Sequence, residues 1–236
     1  MSTNSNTDRL IVIEGLDGSG KATQAALLAE SLTAAGTPVR RISFPDYAHK
    51  SSIPVQMYLN GEVGSLEEVN VYAASTFYSI DRYISYQTDW SRDCKEGRLI
   101  LADRYTTSNA CHQMVKLPQK EWDGYLDWLA DLEYSRMGLP EPGLVLYLDM
   151  DPNTSRRLLE KRYGGDESRK DLHEANLQYL LSCREAAHYA AKHWGWRVIR
   201  CCDGSDPYPM EQIHQAVLAE VDSWLRSQSP EGPVGF

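Results

Sequence analysis

Apolar and polar positions divide most of the chain into short apolar runs and longer stretches with helical spacing. Short runs rich in Val, Ile and Leu are typical of buried strands. The sequence contains five of them, at residues 10–13, 38–44, 99–102, 144–149 and 196–202. Helical spacing occupies the intervals, at residues 25–32, 53–59, 66–90, 107–115, 120–138, 152–162, 172–193 and 210–226. This alternation predicts an α/β fold in three layers, with a five-stranded parallel sheet and helices on both of its faces.

These elements extend over residues 9–226, which we interpret as one domain. The full length of 236 residues is ample for a sizeable core. Residues 1–8 and 227–236 show neither pattern, so we expect them to be flexible tails.

The first predicted strand leads into a glycine-rich turn and then a helix. Gly15 and Lys21 begin and end the spacing G-x-x-x-x-G-K. Glycine allows consecutive backbone N–H groups to close around a phosphate, and the helix N-terminus adds partial positive charge. The sequence therefore predicts a phosphate-binding loop, whose candidate ligands are Gly15, Gly18, Ser19, Gly20, Lys21, Ala22 and Thr23.

Ala22 stands where such a loop usually supplies a Ser or Thr hydroxyl to Mg²⁺. Thr23 follows directly, so either Thr23 or water is expected to make that contact. Asp103 is the second candidate metal ligand, because an acid directly after an apolar strand can hold Mg²⁺ through water.

Polar residues also follow the other predicted strands: Phe44–Pro45, Asp103–Arg104 and Asp149. Ligands of parallel sheets bind at the carboxyl ends of the strands, so we expect one cleft to collect these residues and the phosphate loop. Arg104 is suited to gripping a phosphate there.

Two further groups of residues suggest nucleotide chemistry. Tyr78 and Arg82 lie four residues apart on one helix face, which pairs a stacking ring with a cation. Arg162, Arg169 and Lys170 are concentrated around a glycine-bearing break between two helices. We interpret this break as a cationic flap that closes over a transferring phosphate.

Composition narrows the class of protein. The formal net charge of −9 argues against a general nucleic-acid coat or an anionic membrane surface. The apolar runs are too short to span a membrane, and the polar N-terminus lacks the apolar core of a signal peptide. The five cysteines have no zinc-like spacing, and their odd number argues against a complete disulfide framework. We therefore expect a cytoplasmic protein with no nucleic-acid or membrane partner.

Taken in order, the motifs resemble those of the thymidylate kinase family, within the P-loop nucleoside monophosphate kinases. The similarity runs from residue 10 to about residue 225. It includes G-L-D-G-S-G-K-A-T-Q at 15–24, F-P at 44–45, Y-x-x-x-R at 78–82, D-R-Y-x-x-S at 103–108 and L-Y-L-D-x-D-P at 146–152. The resemblance implies a P-loop NTPase fold, phosphorylation of dTMP by ATP with Mg²⁺, and a homodimer.

The resemblance also implies roles for individual residues. Asp17 would contact the sugar hydroxyl of the acceptor, Tyr78 would stack on thymine, and the phosphate loop would hold ATP. The implied acceptor site comprises Asp17, Phe44, Pro45, Tyr78, Arg82, Arg104, Ser108 and His112. Residues 162–174 would form a lid, and the candidate catalytic cations are Lys21, Arg104, Arg162 and Arg169.

Two positions depart from the family's pattern. Gly18 lies where some members place a catalytic arginine, which resembles the subgroup that supplies this charge from the lid. Tyr47 lies where members commonly carry an arginine that grips the acceptor phosphate. Tyrosine brings no charge, so Arg104 and Lys50 are candidates to supply it.

Two other functions fit the sequence. A kinase for another nucleoside monophosphate or for a deoxynucleoside would accommodate Tyr47. A catalytically impaired nucleotide-binding regulator would accommodate both Ala22 and Tyr47. The presence of Asp17, Asp103 and the lid arginines favours an active enzyme.

Overall fold

The sheet has five parallel strands in a computed structural model that describes residues 9–163, 177–204 and 206–228. Its strands are β1 (Leu10–Gly15), β2 (Val39–Ser43), β3 (Leu99–Asp103), β4 (Leu144–Asp149) and β5 (Arg197–Arg200). Their order across the sheet is β2-β3-β1-β4-β5, and every neighbouring pair is parallel. Because β1 is central, the loop that follows it lies in the middle of the carboxyl edge.

Nine helices are α in the described part of the chain. They are α1 (Lys21–Ala34), α2 (Ile53–Leu59), α3 (Val71–Ser85), α4 (Ser91–Lys95), α5 (Thr107–His112), α6 (Trp122–Ala130), α7 (Pro152–Tyr163), α8 (Leu177–Trp194) and α9 (Met210–Gln228).

Alternate residues of the strands face opposite layers of helices. Leu10 and Val12 of β1 belong to a core that includes side chains of α3, α5, α6 and α8. Ile11 and Ile13 belong to a second core, formed with α1 and α9. All four side chains are 0% exposed, as a strand buried on both faces requires. The predicted three-layer sandwich of the P-loop NTPase type is confirmed.

The predicted helix at 66–90 begins later than its apolar pattern indicates. Asn70 caps α3 by accepting hydrogen bonds from the backbone N–H groups of Tyr72 and Ala73, so the helix starts at Val71. After α3 the chain continues as a π-helix over Tyr86–Trp90 before α4 begins.

Two other predicted helices are also divided. The segment predicted at 107–115 ends as α5 at His112 and continues as a 3₁₀ turn over Met114–Lys116. The segment predicted at 120–138 consists of a 3₁₀ turn, α6 and a π-helix over Asp131–Arg136. Apolar spacing does not distinguish these helix types, because they differ by only one residue per hydrogen-bonded turn.

The C-terminal region differs from its prediction in two details. The strand predicted at 196–202 is β5 only as far as Arg200, and Cys202 begins β6 (Cys202–Asp203), which forms a short hairpin with β7 (Asp206–Pro207). Helix α9 extends two residues beyond the predicted end at 226. Residues 1–8, 164–176 and 229–236 lie outside the described residues, so most of the predicted lid and tails does too. No described helix combines the length and apolarity that crossing a membrane would need.

Candidate active site

A cavity of about 430 Å³ opens at the carboxyl edge of the sheet. Its wall contains most of the predicted site residues: Asp17, Gly18, Gly20, Lys21, Ala22, Thr23, Phe44, Pro45, Tyr78, Arg82, Asp103, Arg104, Ser108 and His112. The loop after β1, the ends of β2 and β3, and helices α3 and α5 therefore contribute to one site, as the sequence predicted.

The phosphate loop depends on glycine at two positions. A Cβ atom at Gly15 would lie 2.6 Å from Ser19 Oγ and 2.9 Å from the carbonyl oxygen of Leu148, closer than real Cβ contacts. Gly20 has φ of 91° and precedes α1. Only glycine adopts that conformation without strain, and it lets the loop enter the helix with its N–H groups available.

Lys21 is folded against the loop that contains it. Its Nζ donates to the carbonyl of Leu16 at 2.9 Å and lies 3.5 Å from Asp17 Oδ1. Burial and the nearby charge of Arg104 lower the pKa of Lys21 from its ordinary value. The ammonium of Lys21 is therefore only partly solvated, and a bound phosphate would give it a further partner besides Leu16 and Asp17.

Arg104 joins the phosphate loop to the acceptor side of the cavity. Its guanidinium pairs with Asp17 and donates to His112 Nε2 at 3.0 Å. Burial opposes the charge of Arg104, but Asp17 and Glu14 outweigh it and raise the pKa above its ordinary value. Burial likewise opposes ionisation of Asp17, yet Arg104 and Lys21 hold the pKa of that carboxyl well below its usual range.

The backbone of Arg104 has φ of 68°, the left-handed region that non-glycine residues seldom occupy. Its N–H donates to the carbonyl of Ile13 at 3.1 Å, which fixes the residue beside β1. In this conformation the side chain pairs with Asp17.

Glu14 is a contributor that sequence reasoning missed. Its side chain is 0% exposed and accepts hydrogen bonds from Thr107 Oγ1 at 2.8 Å and Ser108 Oγ at 2.6 Å. The other carboxylate oxygen accepts from the N–H of Gly15 at 2.9 Å. Glu14 therefore ties the start of the phosphate loop to α5. The available signal was a charged residue within an apolar strand, which requires buried partners.

Arg82 has a partner that the sequence did not reveal. Its side chain is 1% exposed, and it donates to Glu133 through Nε at 2.7 Å and through Nη2 at 2.5 Å. Burial opposes the charge of Arg82, but Glu133 outweighs this effect and raises the pKa. Tyr78, on the same helix face, is half-buried and meets the ring of Tyr58 edge-on at 6.3 Å between centroids.

Asp103 and Thr23 both line the cavity. Burial raises the pKa of Asp103, so a cation beside it would stabilise its ionised form. The described residues contain no cluster of three or more His, Cys, Asp or Glu side chains suited to a metal. The donor set fits Mg²⁺, which commonly takes one or two carboxylates and completes its shell with water and substrate phosphates.

Comparison with known proteins agrees with this geometry. The family model described as thymidylate kinase matches residues 13–217. The chain belongs to the thymidylate kinase family. It is 31% identical over 193 residues to a thymidylate kinase of Mycobacterium tuberculosis, covering 80% of this chain and 88% of that protein.

Other relatives support the same family. A thymidylate kinase of Danio rerio is 27% identical over 227 residues, covering 96% of this chain and 95% of its own. A solved thymidylate kinase from Candida albicans has a TM-score of 0.67 at 21% identity and covers 94% of both chains, which supports the fold. As a member of the thymidylate kinase family, this chain is a nucleoside monophosphate kinase with ATP as phosphoryl donor.

Asp149 is one predicted cleft residue that does not line this cavity, although it ends β4 at the carboxyl edge. It is absent from the described cavity wall and pairs instead with Arg184, at 2.7 and 2.9 Å, and with His188 at 3.2 Å. Burial would raise its pKa, but these two partners hold the pKa well below its usual range. The prediction that one cleft collects Asp149 was therefore wrong, because α8 supplies it with partners outside the cavity.

The predicted lid arginines, Arg162 and Arg169, fall at and beyond the end of α7. Arg162 lies in the last turn of α7, but its side chain and the whole of Arg169 are outside the described residues. Leu158 of α7 does line the cavity, so α7 runs along the wall before it reaches the predicted lid.

Proposed function

We propose that this chain transfers the γ-phosphoryl group of ATP to dTMP, giving dTDP and ADP. The observation that carries the proposal is that the phosphate loop and the predicted acceptor residues Tyr78 and Arg82 line one cavity. Arg104, which also lines the cavity, pairs with Asp17 of the phosphate loop. A donor phosphate chain and an acceptor nucleotide can therefore meet in this cavity.

The donor end holds ATP by backbone geometry and one charge. The N–H groups between Gly15 and Lys21 surround the β-phosphate, and the N-terminus of α1 points partial positive charge at it. Lys21 exchanges its contact with the carbonyl of Leu16 for the outer phosphates. Phosphoryl transfer depends on this positioning and charge neutralisation more than on proton transfer.

At the acceptor end, Asp17 accepts a hydrogen bond from the sugar hydroxyl, and Tyr78 stacks on the base. Phe44, Pro45, Ser108 and His112 complete the walls. The acceptor phosphate then lies beside Arg104, where an oxygen attacks the γ-phosphorus in line. Arg104 and Lys21 neutralise charge on the transferring oxygens.

Asp103 and Thr23 are the residues that would hold Mg²⁺, Asp103 through water. When bound, the ion neutralises the phosphate oxygens and orients them. Ala22 offers no side-chain oxygen, so Thr23 or water takes the place of the usual hydroxyl.

The charges of the described wall leave a role for the lid. Its cations are Lys21, Arg82 and Arg104, and its carboxylates are Asp17 and Asp103. Arg82 is already neutralised by Glu133. Further positive charge would stabilise a transferring phosphoryl group, and the sequence offers Arg162 and Arg169, whose side chains lie outside the described residues, as its source.

Tyr47 is 56% exposed and lines the cavity. It gives the acceptor phosphate a hydroxyl in place of a cation, so Arg104 contributes the charge. Lys50, at the start of a 3₁₀ turn, is absent from the described wall and is the weaker candidate. The cytoplasmic location, the homodimer, and the lack of nucleic-acid and membrane partners stay predictions.

The proposal is tested by measuring ADP release with ATP, Mg²⁺ and a panel of nucleoside monophosphates, with Lys21→Ala as the control. We expect turnover with dTMP that the control lowers by roughly 10³-fold. Turnover confined to a different monophosphate would retain the mechanism and reject the acceptor. ATP binding without turnover of any acceptor would reject the kinase and favour a regulator.

A further inference from the structure

We propose that Glu133 is a positioning residue that sets which base the acceptor site accepts, because it holds Arg82 in one orientation. The inference rests on the proposed function, since it concerns the base end of the same cavity. Glu133 lies in the π-helix Asp131–Arg136 and contributes no atom to the described cavity wall.

The carboxylate of Glu133 is fully engaged. It is 0% exposed and accepts hydrogen bonds from Ser79 Oγ at 2.7 Å and Thr106 Oγ1 at 2.6 Å, in addition to the two from Arg82. Its partners come from α3 and from the segment before α5. A buried carboxylate with four donors can adopt few alternative arrangements, because each change would leave a polar group unsatisfied.

The two bonds to Glu133 decide what Arg82 can offer a ligand. They occupy Nε and one hydrogen of Nη2, and Nη1 lies 3.4 Å from the carbonyl of Tyr105. Arg82 lines the cavity, and its remaining N–H groups, one on Nη1 and one on Nη2, are the ones left for a ligand. Because only 1% of the side chain is exposed, a ligand can meet no more than this edge.

An edge made only of donors distinguishes between bases. A guanidinium has no acceptor, so it can pair with a carbonyl oxygen but not with an amino group. Thymine and uracil carry a carbonyl at the ring position where cytosine carries an amino group. A rigid donor edge therefore favours thymine and uracil over cytosine, since a buried donor left unpaired disfavours the wrong base.

Glu133 also changes the electrostatics at that end of the cavity. By neutralising Arg82, it removes a free cation that would otherwise attract the acceptor phosphate to the base end. The phosphate is then directed to Arg104 and Lys21, where transfer takes place. Fixing the orientation and balancing the charge both require the carboxylate rather than a side chain of the same size.

The test is Glu133→Gln, which keeps the size and removes the charge. We expect kcat/KM for dTMP and for dUMP to fall at least tenfold, while that for dCMP changes less than about threefold. The KM for ATP stays unchanged, because the phosphate loop is untouched. Asp131→Asn is the matched control, since it removes an exposed pair with Arg136 from the same π-helix.

A second variant separates positioning from folding. Arg82→Met combined with Glu133→Leu replaces the ion pair with apolar side chains, and thermal unfolding shows whether the fold is retained. The ratio of kcat/KM for dTMP to that for dCMP should be low in Glu133→Gln. We expect it to be equally low in the double variant, even if the double variant is as stable as the wild type. Recovery of the ratio together with stability would show that the base is selected without Arg82, and would overturn the proposal that Glu133 acts through it.

Binding measurements distinguish failure of the Glu133 proposal from failure of the kinase proposal. Dissociation constants for dTMP, dUMP and dCMP are measured on the same proteins by calorimetry. A wild type that binds dTMP over dCMP without turnover rejects the kinase, and loss of that preference in Glu133→Gln still supports the positioning role. An unchanged preference in Glu133→Gln, in binding and in turnover, rejects it.

Discussion

Two arginines line the same cavity, and the pairs they form with carboxylates differ in exposure. The side chains of Arg82 and Glu133 are 1% and 0% exposed, whereas those of Arg104 and Asp17 are 17% and 27% exposed. Arg82 is joined to a carboxylate with no remaining capacity. Arg104 is joined to one that both solvent and a ligand can reach.

The difference in exposure indicates a structural role for the buried pair and a ligand-binding role for the partly exposed pair. A sealed ion pair is costly to break, because the charge left behind is buried without a partner. A partly open pair can exchange its partner for a ligand, because water and the incoming group replace the lost contact. We therefore expect changes to the first pair to act mainly on stability and specificity, and changes to the second to act mainly on turnover.

The largest expected effect is on folding. Arg82→Met leaves Glu133 charged and buried, so the free energy of unfolding should fall by about 3–5 kcal/mol. Urea unfolding followed by circular dichroism measures it. Adding Glu133→Leu should recover most of the loss. If the single and double variants lost the same free energy of unfolding, the unpaired Glu133 carboxylate would not be costly, and the pair would not be buried from solvent as described.

The second effect is on catalysis. Arg104→Met should lower kcat/KM for the acceptor by roughly 10²–10³-fold, because the charge beside the transferring phosphate is lost. The free energy of unfolding should change by only about 1–2 kcal/mol. Arg98→Met, which removes an exposed pair with Asp93, is the control. A stability loss as large as that of Arg82→Met would erase the distinction between the pairs.

The third effect isolates the backbone of Arg104. Arg104→Gly and Arg104→Ala remove the same side chain, but glycine tolerates φ of 68°. The glycine variant should be more stable by about 1 kcal/mol in urea unfolding. At Gln215, an exposed position within α9, the same two substitutions should differ in the opposite direction. The same sign at both positions would contradict strain at Arg104.

The smallest effect is a dependence on pH. Asp17 has a lowered pKa in the folded chain, against an ordinary value of 3.8. Its stabilising contribution is therefore complete above 3.8 and is lost as the pH falls through the folded value. Asp17→Asn should weaken the loss of stability with falling pH in urea unfolding. An unchanged slope would mean that the pair with Arg104 contributes nothing to folding.

Local spacing was enough to predict most of the site. Gly15 to Lys21 form a phosphate loop because glycine conformations and a helix N-terminus are properties of adjacent residues. Phe44–Pro45 and Asp103–Arg104 come together because the ends of parallel strands share one edge. Each inference needed the order of elements along the chain but not their packing.

The sequence did not reveal which side chains far apart along the chain pair with each other. Arg82 and Glu133 are 51 residues apart, and Glu14 and Thr107 are 93 apart. Nothing in local spacing shows that a π-helix brings Glu133 beneath α3. Asp149 is an example of a residue that local position placed in the cleft incorrectly. It ends a strand, which suggested the cleft, but its carboxylate is bound by Arg184 of α8 instead.

The sequence by itself therefore determined the fold class, the phosphate loop and the identity of the residues at the carboxyl edge. These features follow from periodicity, glycine conformation and strand ends, all of which are local. Only the tertiary structure decided which carboxylate each arginine meets, and hence which arginine is fixed and which is available. That choice depends on the packing of helices against the sheet, because the strength of an ion pair is set by its burial and by the donors around it.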